Sequence, residues 1–296
     1  MSGLGLTFLR RGGQAHPTAG TDYVRFADTE VERILLANGI SSDGVGISKD
    51  DAEKVTSIGE MFRGNTTIET FEELKYFTNV TEIADSAFYG CTNLRSVNLS
   101  NILRVGQFAF QECTSLTSAN MPIVTQIKKY AFYKCAGLTE VYMPFVTTME
   151  TNIFEQASLP GSQVLEYLTT AGLKLCYYTK NLVEFIAPVL TEVSQTMLNR
   201  CENLENVYVG AISKINRYAF ERSGALKSVV INNSEVVSLP YTDAFTGTTC
   251  SIYVPDSSVS AYTADSKWST FASRIKGISQ LATDNPTFYA KIQQYL

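Results

Sequence analysis

Three glutamates, Glu140, Glu184 and Glu205, stand at strand-like positions where paired carboxylates could act as acid and base in glycoside hydrolysis. The sequence does not assign a second acid of matching geometry to any of them. The single histidine, His16, lies in an N-terminal stretch without a clear pattern, and nucleophile elbows, phosphate-binding loops and zinc-protease motifs are absent from the sequence. We therefore predict that the protein is not an enzyme and has no catalytic residues.

Cysteines are the second reactive set, and four of the six recur at intervals of 22 residues or a multiple of it: Cys91, Cys113, Cys135 and Cys201. A small thiol suits a half-buried turn, so we predict that all six are reduced rather than joined in disulfides. The sequence has no Cys-x-x-Cys pair and no cysteine and histidine set with zinc spacing. We predict neither a metal nor a cofactor.

A binding surface is the chemistry that the sequence supports. One row of residues, 22 positions apart, is predicted to point outward from successive strands: Asn98, Asn120, Tyr142, Val164, Ile186, Tyr208 and Val230. Aromatic and aliphatic residues exposed in a row are typical of a contact with a partner, although β-propensity on a solvated sheet would explain them as well. Polar residues lie two places before members of this row in the same strands. We predict that three members of the row and the polar residues before them bind a ligand: Glu140, Tyr142, Glu184, Ile186, Asn206 and Tyr208.

The elements that position these residues follow from the same interval of 22. It relates leucines and phenylalanines along most of the chain: Leu94, Leu116 and Leu138; Leu182, Leu204 and Leu226; Phe88, Phe110, Phe132 and Phe154. A fixed period of this length with clustered leucines indicates a leucine-rich repeat, whose units bury their apolar sides only by stacking. We predict an α+β repeat solenoid of 22-residue units, with short parallel strands on one face and helical caps at both ends.

The pattern is interrupted in the middle of the chain, where Pro160 occupies an expected leucine position. We predict a bulge or bend there, with residues 163–168 as a candidate helix. A longer loop is predicted near Asn232, where the last unit gains residues.

The units carry the signature Ala-Phe-x-x-Cys followed by leucine and valine, as in the stretches that begin at Ala87, Ala109 and Ala131. This signature resembles the BspA-type leucine-rich repeats of bacterial surface antigens. The stretches 244–268 and 55–77 resemble the closing and opening units of such proteins from gut anaerobes. The resemblance extends over residues 28–281 and implies a recognition or adhesion function.

Five regions are predicted: a flexible arm over residues 1–22, a helical N-terminal cap over 23–55, the solenoid over 56–255, a C-terminal cap over 256–281 and an amphipathic helix over 282–296. The family resemblance implies an EF-hand-like calcium loop in the first cap. Here only Asp51 fits a ligand position and Asp43 is one place off, so we interpret the loop as degenerate. The apolar face of the last helix, with Phe288, Ile292 and Tyr295, predicts packing on the cap or binding to another subunit.

Charge and termini limit the partners. A net charge of −5 argues against a nucleic-acid partner. The sequence has no run of about 18 apolar residues, which is the length that a membrane-spanning helix needs. The N-terminus, with Arg10 and Arg11, does not resemble a signal peptide. We therefore expect a virion-associated protein, carried for example on a phage particle, or one displayed on a cell surface. The N-terminal arm and the last helix would then contact a carrier or a second copy, although the arm could also be an ordinary tail.

The function predicted from the sequence is recognition or adhesion, in which the strand face binds a host or cell-surface protein or glycan. The alternative is an architectural subunit whose strand face is buried against a neighbour in a larger assembly.

Overall fold

The computed structural model of the chain describes residues 22–296. Within them the chain winds as a solenoid, and each coil adds one strand to a parallel row that we call the strand row. Its strands are β1 Thr70–Phe71, β3 Ser96–Val97, β5 Ser118–Asn120, β7 Glu140–Tyr142, β9 Ser158–Val164, β11 Lys180–Ala187, β12 Asn206–Val209, β13 Ser228–Ile231, β14 Ser251–Val254 and β15 Ile275–Gly277.

The register confirms the 22-residue unit. Glu184 aligns with Asn206, and Asn206 with Ser228, in parallel pairing between neighbouring coils. The unit lengthens at the next coil, where Ser228 aligns with Ser251. Equivalent residues of the repeat therefore lie beside one another along the strand row.

A second parallel row lies at the next corner of each coil, so strands occupy two sides of the solenoid rather than the single face that the sequence predicted. It is a five-stranded sheet formed by β2 Glu82–Ile83, β4 Arg104–Val105, β6 Gln126–Ile127, β8 Thr148–Met149 and β10 Thr170–Ala171. These strands are only two residues long, and each contributes one buried apolar side chain such as Val105 or Ile127. A two-residue strand leaves little periodicity to detect in a sequence.

The phenylalanine position of the repeat forms a stack through the core. Ring centroids of Phe88 and Phe110 are 5.2 Å apart, those of Phe110 and Phe132 5.3 Å, and those of Phe132 and Phe154 5.5 Å, with nearly parallel planes. This spacing matches the distance between adjacent strands, so stacked coils bring equivalent rings into contact.

The cysteine position of the repeat is occupied by small buried side chains that donate a hydrogen bond. The thiols of Cys113, Cys135 and Cys201 each donate to a backbone carbonyl of the preceding coil at 2.9–3.0 Å. Thr179 and Ser223 occupy the same position and donate through their hydroxyls at 2.8 and 2.7 Å. All six cysteines are free, and burial raises the pKa of Cys201 to about 12, which suppresses thiolate reactivity.

Helices cover both ends of the solenoid. The N-terminal end has α1 Thr29–Ala37 and α2 Lys49–Lys54, and the C-terminal end has α3 Val259–Ala264 and the 3₁₀ segment Trp268–Arg274. Trp268 is fully buried and donates its indole N–H to the Val237 carbonyl at 2.7 Å. Further 3₁₀ turns are Glu72–Tyr76, Thr242–Phe245, Asp256–Ser258 and Gln293–Tyr295.

The interruption around Pro160 is a bulge, as predicted, with two register shifts between β9 and β11. The helix predicted over residues 163–168 was wrong, because Gln163 and Val164 pair with Phe185 and Ile186 as the end of β9. Pairing with a long neighbouring strand satisfies backbone groups that a helical turn would otherwise have bonded internally.

After β15 the chain turns back over the strand row. The residues predicted as one C-terminal helix belong to a segment with α4 Ile278–Asp284 and α5 Pro286–Ile292, which we call the C-terminal segment (residues 278–296). Asn285 is the N-cap of α5, where its side chain accepts from the Phe288 backbone amide at 3.3 Å, and Pro286 occupies the first turn. Of the predicted arm over residues 1–22, residues 1–21, which include His16, lie outside the described residues.

Candidate functional site

The strand row presents every second side chain to its outer side, which we call the strand face. Inner neighbours such as Val207 and Val229 are fully buried in the solenoid core. The outer residues form a separate set whose surroundings differ along the solenoid.

Four of the predicted ligand-binding residues lie in a covered part of the strand face, from Glu184 to Tyr253. Ile186, Tyr208, Val230 and Tyr253 form a second apolar cluster with Ile278, Leu281, Phe288 and Ile292 of the C-terminal segment. Glu184 and Asn206 are also buried. The expectation that Glu184, Ile186, Asn206 and Tyr208 are exposed was wrong. Helices of the same chain cover this part of the strand face and bury its apolar residues.

Polar contacts fix the C-terminal segment in place. Lys291 Nζ lies 2.6 Å from Glu184 Oε2, and the Asn285 amide donates to Asn206 Oδ1 at 2.9 Å. The Tyr208 hydroxyl donates to the Tyr295 carbonyl at 2.7 Å. Burial raises the pKa of Tyr208, so this hydroxyl keeps its proton at neutral pH.

A polar recess of about 600 Å³ lies between α4, α5 and the strand row. Its acids are paired with lysines: Glu205 with Lys227 at 2.8 Å and Asp284 with Lys276 at 2.6 Å. The hydrogen bond from Lys276 lowers the pKa of Asp284. The Asp284–Lys276 pair therefore joins the C-terminal segment to β15, whereas the Glu205–Lys227 pair joins two neighbouring coils of the strand row.

The open part of the strand face extends from Ser96 to Val164 and contains the other two predicted residues. Tyr142 is 57% exposed and Glu140 is also exposed. Among the described residues no cation pairs with Glu140. Both residues line a shallow concavity of about 560 Å³ together with Glu72, Asn98 and Asn120. Whether Glu140 and Tyr142 bind a ligand stays a prediction.

A corner row of apolar residues flanks this surface and was missed in the sequence analysis. Its members follow the strand row by a few residues and recur every 22 positions: Ile123, Phe145, Tyr167 and Val189. All four are exposed, and the rings of Phe145 and Tyr167 have centroids 5.7 Å apart. The interval of 22 that identified the strand row would have identified this row too, had it been applied to the residues after each strand.

The carboxylates of the loop between α1 and α2 serve the local backbone. Asp43 accepts a hydrogen bond from the Tyr23 hydroxyl and another from the Val45 amide, which lower its pKa to about 2. Asp51 caps α2 reciprocally with Ser48. Within residues 22–296 no three side chains of histidine, cysteine, aspartate or glutamate are grouped as a metal site. No helix of this range is long and apolar enough to cross a membrane.

The repeat units match a known family model. The model of the BspA type leucine rich repeat region matches residues 51–160 and 125–253, with six copies. A leucine rich cell surface protein from Faecalibacterium prausnitzii A2-165 is 17% identical, with 66% of this chain and 82% of that chain covered and a TM-score of 0.30. A leucine-rich repeat protein from Bacteroides ovatus ATCC 8483 is 12% identical, with 91% and 97% covered and a TM-score of 0.34. No curated protein matches the chain.

Proposed function

This chain belongs to the BspA-type leucine-rich repeat family, and from that premise we propose that it is a non-enzymatic recognition module. The open part of its strand face binds a ligand on a cell surface, either a protein or a glycan. The BspA-type repeat, which resembles those of bacterial surface antigens, supports display at a surface. Carriage on a phage particle stays a prediction that no described residue supports.

The observation that carries this proposal is the exposure of a connected set of large side chains. Tyr142, Val164, Phe145 and Tyr167 are each at least 40% exposed on two adjacent coils. Large apolar residues grouped on a surface are typical of contacts with a partner. Tyrosine in particular offers a rigid ring and a polar hydroxyl at low entropic cost.

The C-terminal segment was a predicted contact for a carrier or a second copy. Its apolar residues Phe288 and Ile292 are buried against the strand face of the same chain. The apolar face that motivated this expectation is therefore already occupied, and the proposal places recognition in the open part instead. The alternative role, an architectural subunit, would bury the open part against a neighbour.

Binding of the fluorescently labelled full chain to intact gut-anaerobe cells, measured by flow cytometry, tests the proposal. We expect the double variant Tyr142→Ala/Phe145→Ala to weaken binding about tenfold or more, because exposed aromatic anchors carry much of an interface's energy. Tyr241→Ala is the matched control, since Tyr241 is 50% exposed outside the strand row. Equal binding by both variants, or no binding of the unmodified chain, would contradict the proposal.

A further inference from the structure

The covered part of the strand face shows which kind of segment this surface accepts. Phe288, Lys291 and Ile292 have the i, i+3, i+4 spacing that places three side chains on one face of a helix. Phe288 and Ile292 enter the apolar cluster with Ile186 and Tyr208, and Lys291 pairs with Glu184. The surface thus combines an acid with an aliphatic and an aromatic residue on two neighbouring coils.

The open part repeats this combination. Glu140 occupies the position of Glu184 in an earlier coil, with Tyr142 beside it and Val164 on the next strand. Val164 is 43% exposed, and Tyr142 more so. The C-terminal segment ends at this boundary, because the Tyr295 hydroxyl donates to Glu166 Oε1 at 2.8 Å. The open part is therefore continuous with a surface that already holds a helix.

From this correspondence we infer that the open part binds an amphipathic helix of a partner protein, with a basic side chain beside aromatic or aliphatic ones. The inference rests on the proposed function and names its ligand class. The apolar side chains of the helix would cover Tyr142, Val164 and the corner row. Its lysine or arginine would pair with Glu140 and fix the orientation of the helix.

The polar groups of the earlier coils favour a peptide over a glycan. The Ser96 hydroxyl donates to Glu72 at 2.6 Å, and Asn98 Oδ1 accepts from the Ser100 hydroxyl at 2.7 Å. These groups are thus engaged within the protein, which leaves fewer of them for sugar hydroxyls. The accessible groups of the described open part include the unpaired acid Glu140, the amide of Asn120 and the apolar side chains.

The probe is a labelled synthetic peptide with the sequence of residues 285–296, titrated with the full chain and followed by fluorescence anisotropy. We expect saturable binding that Glu140→Lys weakens about tenfold or more, since like charges then face each other. A peptide with the equivalent of Lys291→Glu should lose binding to the unmodified chain and regain it with the Glu140→Lys variant. Tyr241→Ala should leave peptide binding unchanged.

Other outcomes would overturn the inference in distinguishable ways. Peptide binding that is insensitive to Glu140→Lys would mean exchange with α5 on the covered part. Cell binding that depends on Tyr142 without any peptide binding would favour a glycan or another protein surface and leave the proposed function standing. Self-association of the full chain that Glu140→Lys abolishes, measured by analytical ultracentrifugation, would assign the surface to a second copy.

Discussion

Tyr142 and Tyr208 occupy the same position of the repeat, yet Tyr142 is 57% exposed and Tyr208 only 1%. Both side chains leave the strand row on its outer side, because the repeat sets the direction of every second residue. The difference comes from the C-terminal segment, which lies over Tyr208 and ends before Tyr142. In this solenoid the repeat decides where a residue points, and a segment outside the repeat decides whether it meets solvent.

The largest difference in stability is expected between the alanine variants of these two tyrosines. Tyr208→Ala should lower the free energy of unfolding by about 3–5 kcal/mol, because it removes a buried ring and a hydroxyl that donates to Tyr295. Tyr142→Ala should change it by no more than about 0.5 kcal/mol, as for most exposed positions. Urea unfolding followed by circular dichroism measures both. Similar losses for the two variants would mean that the strand face is not divided as described.

Removing a lysine from an ion pair of the covered part should lower the free energy of unfolding by less than Tyr208→Ala does. Lys291→Ala leaves Glu184 buried without its partner and should cost about 1–2 kcal/mol, a value discounted because Lys291 itself is 47% exposed. Lys227→Ala is the control, since its pair with Glu205 is exposed on both sides and should contribute about 0–0.5 kcal/mol.

The double variant Glu184→Gln/Lys291→Ala separates pairing from packing in the same unfolding assay. It should recover most of the loss caused by Lys291→Ala, because no charge is then left buried. A double variant as unstable as Lys291→Ala would show that Lys291 acts through its packing rather than its charge.

The smallest effect concerns pH. The hydrogen bond from Lys276, with that from Tyr253, lowers the pKa of Asp284 below its ordinary value of 3.8. Its ionised form therefore stabilises the docked C-terminal segment fully above that value, and the contribution is lost as the pH falls through the lower pKa of the folded state. Hydrogen exchange in α4 and α5 should accelerate below about pH 4 relative to the open strands.

Asp284→Asn is the control for this prediction. Exchange in its C-terminal segment should already be faster at neutral pH, with less additional change on acidification. A pH dependence identical to that of the unmodified chain would assign the acid sensitivity to other carboxylates.

Much of the fold could be predicted from the sequence because a repeat shows the same physical requirement many times. Leu94 and Phe110 occupy positions that recur along the core, and both are buried as expected. Cys135, expected at a half-buried turn, is fully buried. The short second row of strands was missed because two-residue strands have no alternation to detect.

The candidate site was only partly predictable. Sequence spacing placed Glu184 and Tyr208 on the outer side, but the helix that covers them has no counterpart in the repeat. Its apolar residues Phe288 and Ile292 indicated that it packs on something without indicating on what. Which outer residues are free to bind is therefore a tertiary property that depends on contacts distant in sequence.

Tyrosine nitration of the folded full chain, followed by mass spectrometry, tests the division of the strand face most directly. We predict that Tyr142 and Tyr167 are modified early, whereas Tyr208 and Tyr253 stay protected until the chain unfolds. Phe288→Ala should make Tyr208 reactive while leaving the rate at Tyr142 unchanged. Equal early modification of Tyr142 and Tyr208 in the unmodified chain would contradict the claim that the chain covers one part of its strand face and leaves the other open.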